Sequence, residues 1–167
     1  MRFFRRSPPP VVRAEVDAID WLREDHEQTE ELFAAYAQMV RQAAPDGTRQ
    51  RLAAWICTTL SICDTLETEL FYPAARAALA DAAAVDSALD DHVLLRTLVS
   101  EVRAAQPAQA DYDERVARIG RWLHDHVRFE EGVLFVALRR QGATLDGLAL
   151  ALGQRRRQLL VALEARP

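Results

Sequence analysis

Residues 116–138 have the sequence VARIGRWLHDHVRFEEGVLFVAL, and this stretch decides the fold. Its apolar residues recur at steps of three and four, the spacing that places them on one face of an α-helix. Two polar residues four positions apart, His126 and Glu130, interrupt that apolar face. Residues with this spacing stack about 6 Å apart on a helix, so both side chains can reach one ion. The stretch therefore predicts an amphipathic helix with a ligand pair in its buried stripe.

Three other segments of the chain show the same helical periodicity. We predict four helices, over about 16–40, 46–73, 86–105 and 111–140. Pro73 should end or kink the second helix because proline lacks an amide, which leaves residues 74–82 as a separate connecting turn. Short connections favour antiparallel neighbours, so the expected fold is an all-α, antiparallel up-down four-helix bundle.

Composition supports a single helical domain with two appended segments. Half of the 167 residues are apolar, with only 6 Gly and 7 Pro. We expect a basic, Pro-rich tail over 1–14, the bundle over 15–141 and an additional amphipathic C-terminal helix over 142–167. The last segment carries the run Arg155-Arg156-Arg157, which we expect to face solvent while the helix packs on the bundle. The alternative is a dimerisation or docking helix that forms a homo-oligomer.

Charge and cysteine usage limit the partners and the compartment. The formal net charge of -4 argues against a nucleic-acid partner, since such domains usually carry a basic excess. No apolar run approaches the roughly 18 residues of a membrane span, and the amino terminus lacks the apolar run of a signal peptide. Cys57 and Cys63 lie six residues apart in one helical pattern, so they project from different faces and cannot form a disulfide. We therefore expect a cytoplasmic protein.

Six polar residues should lie at one level of the bundle. Counted from the shared turns, His26 matches Cys63, and His92 matches His126, to within about one helical turn. Glu67 matches His92 if the second helix ends at Pro73. The predicted layer contains these metal-ligand candidates: His26, Cys63, Glu67, His92, His126 and Glu130.

Metal binding explains why such a layer would be buried. Two carboxylates gathered in an apolar core destabilise the fold by several kcal/mol unless a cation compensates them. Imidazole and carboxylate together suit iron, zinc or manganese, and inward-facing Glu and His residues of helical bundles can hold two irons.

Four motifs carry a resemblance to a known family. They are Asp25-His26 followed by Leu32-Phe33, the stretch from Glu67 to Pro73 (ETELFYP), Asp91-His92, and the stretch from His126 to Phe135 (HVRFEEGVLF). In these motifs the chain resembles the hemerythrin-like, or HHE cation-binding, family over nearly all of residues 16–140. The resemblance implies a di-iron centre bridged by Glu67 and Glu130, with His26, His92 and His126 as further ligands.

The chain departs from the family pattern at position 63, where the family has His and this chain has Cys. Cys63 is either a thiolate ligand or a small core residue, and both interpretations stay open, as does a centre with one metal in place of two. Glu30 is a reserve ligand, and His124 should lie on the surface. The Asp of each Asp-His pair points away from its own His and could orient the His of another helix.

The leading functional hypothesis is a non-haem iron protein that binds or senses a small ligand such as dioxygen, nitric oxide or peroxide. One alternative is an iron-dependent enzyme that removes peroxide or nitric oxide, with a pocket lined by Phe33, Phe71, Tyr72 and Phe129. The other alternative is a helical interaction module with a degenerate metal site, which the missing histidine favours. We expect ligand binding in preference to catalysis.

Overall fold

The computed structural model describes residues 17–165, and all regular structure in this range is helical. The elements are α1 (Ala18–Arg41), α2 (Asp46–Leu66), a π-helical turn (Glu67–Phe71), α3 (Tyr72–Ala78), α4 (Ala83–Ala104), α5 (Tyr112–Phe129), a second π-helical turn (Glu130–Leu134), α6 (Phe135–Arg140) and α7 (Leu148–Glu164). The predicted tail over 1–14 lies outside the described residues. Within residues 17–165, each helix is too short or too polar to span a lipid bilayer.

The bundle has the predicted up-down topology. α1 packs against α2 and α5, and α4 packs against the same two helices, so the four long helices form a closed square. Asp17 begins α1, because its side chain accepts a hydrogen bond of 2.7 Å from the backbone amide of Ile19. The all-α fold expected from the periodicity is therefore confirmed.

The prediction that the second helix ends at Pro73 was wrong. The π-helical turn Glu67–Phe71 joins α2 to α3, and the helix continues through Pro73 to Ala78. Proline disrupts an α-helix because it lacks a donor and its ring meets the carbonyl one turn earlier. Directly before Pro73 the helix widens into a π-helical turn, in which the Tyr72 amide donates to the Glu67 carbonyl five residues earlier. Only residues 79–82 connect α3 to α4.

The longer second helix preserves the level of the predicted layer. Glu67 lies eleven residues before the end of α3 at Ala78, and His92 lies nine residues after the start of α4 at Ala83. The two arms differ by only two residues, about 3 Å of helical rise, so both side chains still lie at nearly the same height.

Two apolar clusters lie above and below this height. One cluster contains Leu22, Leu66, Phe71, Phe135 and Leu138. The other contains Ile56, Leu60, Leu95, Ile119 and Leu123. Each of the four long helical segments passes from one cluster to the other. The polar layer is therefore enclosed by apolar side chains at both ends.

Helix α7 packs on the bundle against α1, α2 and the first π-helical turn. Leu148 and Leu152 are buried in the first apolar cluster. Arg155 makes a two-pronged ion pair with Glu69, with N···O distances of 2.9 and 3.1 Å. Arg156 pairs with the buried carboxylate of Asp25. The arginine run is thus divided between ion pairs with the bundle and an exposed residue, Arg157.

We expect Arg156→Ala to destabilise the metal-free protein by about 1–3 kcal/mol, because the 5% exposed Asp25 side chain would lose its cationic partner. Urea unfolding measures this change. Arg157→Ala is the matched control, since it removes an exposed arginine from the same helix, and should change stability by less than about 0.5 kcal/mol. Equal effects of the two substitutions would contradict a role for the Asp25 pair.

Candidate metal centre

Five of the six predicted ligands meet in the core. His26, Glu67, His92, His126 and Glu130 are each at most 5% exposed. They form two groups of three, one of Glu67, His92 and His126 and the other of His26, Glu67 and Glu130. In each group the candidate ligand atoms all lie within 4.8 Å of one another. Glu67 belongs to both groups.

The two oxygens of Glu67 face different histidines. Oε2 lies 3.1 Å from His92 Nε2 and 3.9 Å from His126 Nε2. Oε1 lies 3.9 Å from His26 Nε2. One carboxylate therefore reaches both positions at which an ion could be held.

Glu130 closes the layer from the opposite helix. Its Oε2 lies 3.2 Å from His26 Nε2 and 3.7 Å from His126 Nε2. Among the described residues, Glu130 Oε2 and His26 Nε2 are buried polar atoms that lie close together but form no hydrogen bond of acceptable geometry with each other or with another group. Such atoms are costly to bury, and a shared cation would satisfy both. The donors present therefore fit a metal ion.

Both glutamates stand at the first residue of a π-helical turn, Glu67–Phe71 in one case and Glu130–Leu134 in the other. A π-helical turn inserts an extra residue into the helix, and such turns occur frequently at functional sites. The periodicity of the sequence did not predict either turn. Pro73 was a signal for the first one, but nothing comparable marks the second.

Each histidine of the layer also faces a carboxylate through its other ring nitrogen. The Nδ1 atoms of His26 and His92 lie 3.0 Å from Glu131 Oε1 and 2.8 Å from Asp64 Oδ1. His126 Nδ1 lies 3.7 Å from Oδ2 of Asp91. The hydrogen bonds with Glu131 and Asp64 direct Nε2 of His26 and His92 toward the centre, as such partners do in known metal sites. Asp91 lies beyond hydrogen-bond distance, and His126 Nδ1 is a buried atom without a hydrogen-bond partner among the described residues. Asp91 still faces the His of another helix, as its place in an Asp-His pair suggested.

Aromatic rings hold the imidazoles from the sides. Trp122 stacks on His126 with a centroid distance of 4.7 Å and meets His92 edge-on at 5.8 Å. Its indole N–H donates to the Asp91 carbonyl, which fixes the ring. Phe135 stacks on His26 at 5.9 Å. The rotamers of the three histidines are thus restricted by packing.

Cys63 lies outside both groups of three. Its thiol donates to Asp25 Oδ2 over 3.1 Å. Burial and the charge of Asp25 raise the pKa of the thiol well above its ordinary value. Cys57 and Cys63 are not joined by a disulfide, as predicted.

The remaining polar candidates are on the surface. Glu30 and His124 are both exposed and lie outside the layer, with 3.9 Å between Glu30 Oε1 and His124 Nδ1.

Tyr72 was predicted only as a pocket-lining residue of the alternative enzyme. Its hydroxyl donates to Glu130 Oε1 over 2.8 Å and lies 2.8 Å from His92 Nε2 and 3.4 Å from His126 Nε2. The side chain is 1% exposed. Tyr72 follows Glu67 by five residues, and the π-helical turn between them carries the chain through about one turn. The Tyr72 hydroxyl therefore reaches the centre of the layer, next to Glu67.

Protons balance the charge of this layer when no cation is bound. Burial lowers the pKa of His26, but contacts with Glu130 and Glu67 outweigh this effect and raise the pKa to about 9. Burial also lowers the pKa of His92. The neighbouring carboxylates of Asp64 and Glu67 outweigh this effect and raise the pKa to about 9. Burial acts to raise the pKa of Glu130, but the neighbouring histidines hold it below its usual value. The metal-free layer therefore contains imidazolium-carboxylate pairs.

The metal-free protein should lose stability as the pH rises from 6.5 to about 9, because folded His26 and His92 hold protons that the unfolded chain releases near 6.5. Denaturant unfolding across this interval measures the slope. His26→Gln should reduce it, and His124→Gln serves as the control because that side chain is exposed. A flat profile for the wild-type protein would contradict the assignment.

Comparison with known proteins agrees with this geometry. The family model described as hemerythrin HHE cation binding domain matches residues 17–138. A DNA nickase of Nostoc sp. (strain PCC 7120 / SAG 25.82 / UTEX 2576) is 26% identical over 120 residues, which cover 72% of this chain and 33% of that protein. The matched part thus spans about a third of that relative's length. No solved structure matches the chain significantly. Since the family model covers most of its length, the chain belongs to the hemerythrin HHE cation-binding family.

Proposed function

We propose that this protein is a non-haem iron protein that holds two irons and binds a small ligand such as dioxygen, nitric oxide or peroxide. The observation that carries the proposal is the sharing of Glu67 by two groups of ligand atoms inside a buried layer. Family membership supports cation binding, and the combination of imidazole and carboxylate donors favours iron, zinc or manganese.

The donor set favours iron at one of the two positions. Glu67, His92 and His126 combine two imidazoles with one carboxylate, which is the ligand set of many non-haem ferrous sites with open positions. The second position would be held by His26, Glu67 and Glu130. A bound iron supplies coordination positions that the protein leaves free, at which a small ligand can bind.

The side chains around the layer favour ligand binding over turnover of a larger substrate. The two apolar clusters enclose the layer, and the five donors are at most 5% exposed to solvent. A diatomic molecule or peroxide is small enough to enter through local motion. No contact in the layer favours the detoxifying enzyme specifically, so ligand binding or sensing stays the leading proposal.

Two features of the chain argue against proposing DNA nicking for it. The DNA nickase is about three times as long as its matched part. The formal net charge of this chain is -4. Nucleic-acid-binding domains usually carry a basic excess.

Metal analysis of anaerobically purified protein tests the centre. We expect two irons per chain in the wild type and a strong loss in Glu67→Gln, because an amide neutralises the carboxylate shared by both groups. Glu30→Gln is the matched control, since that exposed glutamate lies four residues from His26. Wild-type protein without stoichiometric metal would overturn the proposal and favour the interaction module.

Spectra of the ferrous protein test the ligand. Adding dioxygen, nitric oxide or peroxide should change the ultraviolet-visible spectrum of the wild type, since binding at a free position alters the electronic transitions of the iron. The Glu30→Gln protein should respond as the wild type does. If no added ligand changes the spectrum of the iron-loaded protein, the metal centre stands but small-ligand binding does not.

A further inference from the structure

We propose that the groove between α2 and α4 binds a small organic phosphate, whose phosphate group is held by Arg96 and Arg103. The groove contains a cavity of about 340 Å³, which lies in the lower part of the size range of small-molecule sites. Both arginines are exposed, so the cavity opens to solvent. Its lining residues differ from the five donors of the metal layer. The site is therefore separate from the proposed metal centre.

The tips of the two arginines converge on neighbouring turns of α2. Arg96 Nη1 lies 2.7 Å from Asp64 Oδ1, and Arg103 Nη2 donates to Ser61 Oγ over 3.0 Å. Ser61 and Asp64 are three residues apart, which is about 4.5 Å of helical rise. The two arginines themselves are seven residues apart on α4, about 10.5 Å of rise, so their side chains lean toward each other. One tetrahedral group can therefore contact both guanidinium groups.

Both guanidinium groups keep donors for a ligand. In its contacts with described residues, Arg96 uses Nη1 alone and Arg103 uses Nη2 alone. Arg103 contacts the Ser61 hydroxyl and the Cys57 carbonyl, and it makes no ion pair with any described residue. A guanidinium group recognises phosphate well, because its planar fork matches two phosphate oxygens. A bound phosphate would give Arg103 the charge partner that the described part of the bundle does not supply.

Ser100 provides a third donor between the two arginines. It follows Arg96 by four residues and precedes Arg103 by three, and these spacings place all three residues on one face of α4. Its exposed hydroxyl lines the cavity. The three donors match the three terminal oxygens of a phosphate monoester, whereas a carboxylate offers only two oxygens. The geometry therefore favours a phosphate over a carboxylate.

The cavity also contains a carboxylate, that of Asp64, which would repel an anion if it were unpaired. Asp64 Oδ1 lies 2.8 Å from His92 Nδ1 and 2.7 Å from Arg96 Nη1. These two partners face the same oxygen and reduce the repulsion. Arg103, at the other end of the cavity, adds a positive charge that Asp64 does not balance.

The floor of the cavity is apolar. It is formed by the buried side chains of Leu60, Leu95 and Val99. Inorganic phosphate would leave this floor in contact with water, whereas an apolar group attached to the phosphate would cover it, which is favourable. The basic rim and the apolar floor together favour a phosphate monoester with a small apolar group over inorganic phosphate.

Isothermal titration calorimetry of the full-length protein tests the site with phenyl phosphate as the probe. We expect saturable binding of one equivalent, and weaker binding of inorganic phosphate, which lacks the apolar group, and of benzoate, which lacks the third oxygen. Arg103→Gln should weaken phenyl phosphate binding by roughly tenfold or more, the effect of losing a hydrogen bond to a charged group. Arg157→Gln is the matched control, because it removes the same charge from an exposed position on α7. Its affinity should equal that of the wild type.

Ser100→Glu keeps the test decisive if Arg103→Gln does not fold. Ser100 is exposed, so the bundle should tolerate the change, and a carboxylate between the two arginines should abolish binding by occupying their donors. Absence of saturable binding by the wild type up to about 10 mM phenyl phosphate would overturn the proposal. Unchanged affinity in Ser100→Glu, or benzoate or inorganic phosphate bound as tightly as phenyl phosphate, would also overturn it. Repeating the titration after treatment with a chelator separates this site from a bound metal, since loss of binding there would place the phosphate on the metal and contradict the proposal.

Discussion

The structure depends on the burial of the Glu67 carboxylate between His26 on one side and His92 and His126 on the other. Apolar clusters on both sides remove this carboxylate and that of Glu130 from water. Burial of uncompensated charge costs several kcal/mol, so positive charge must be present in the same layer. In the metal-free protein that charge is carried by protons on His26 and His92, and a bound cation would take their place. Folding, protonation and metal binding are therefore linked through the same five side chains.

The orientation of these side chains depends on contacts between helices. The three imidazoles face carboxylates on the second π-helical turn, α2 and α4 through their outer nitrogens. Trp122 and Phe135 restrict the ring planes. Helix α7 adds a further connection through Arg156 and Asp25, one residue before His26. A change in the packing of any of these helices would therefore alter the geometry of the layer.

The two π-helical turns occur at corresponding positions in two of the four long helical segments. Each begins at a glutamate of the layer and is followed by a short α-helix that extends the apolar cluster. In the first case the wide turn also accommodates Pro73 and places Tyr72 among the ligand atoms. The local backbone irregularity thus has a role in the site as well as in the fold.

The sequence by itself determined the all-α class, the approximate helix bounds and five members of the layer, because helical periodicity and residue counts from the turns depend only on local geometry. Only the tertiary structure decided the path through Pro73, the direction of the Cys63 thiol and the position of the Tyr72 hydroxyl. A π-helical turn is stabilised by packing and leaves almost no signature in periodicity. The direction of a side chain depends on neighbours from other helices, and here Asp25 and Arg156 hold Cys63 while His92 and Glu130 surround Tyr72.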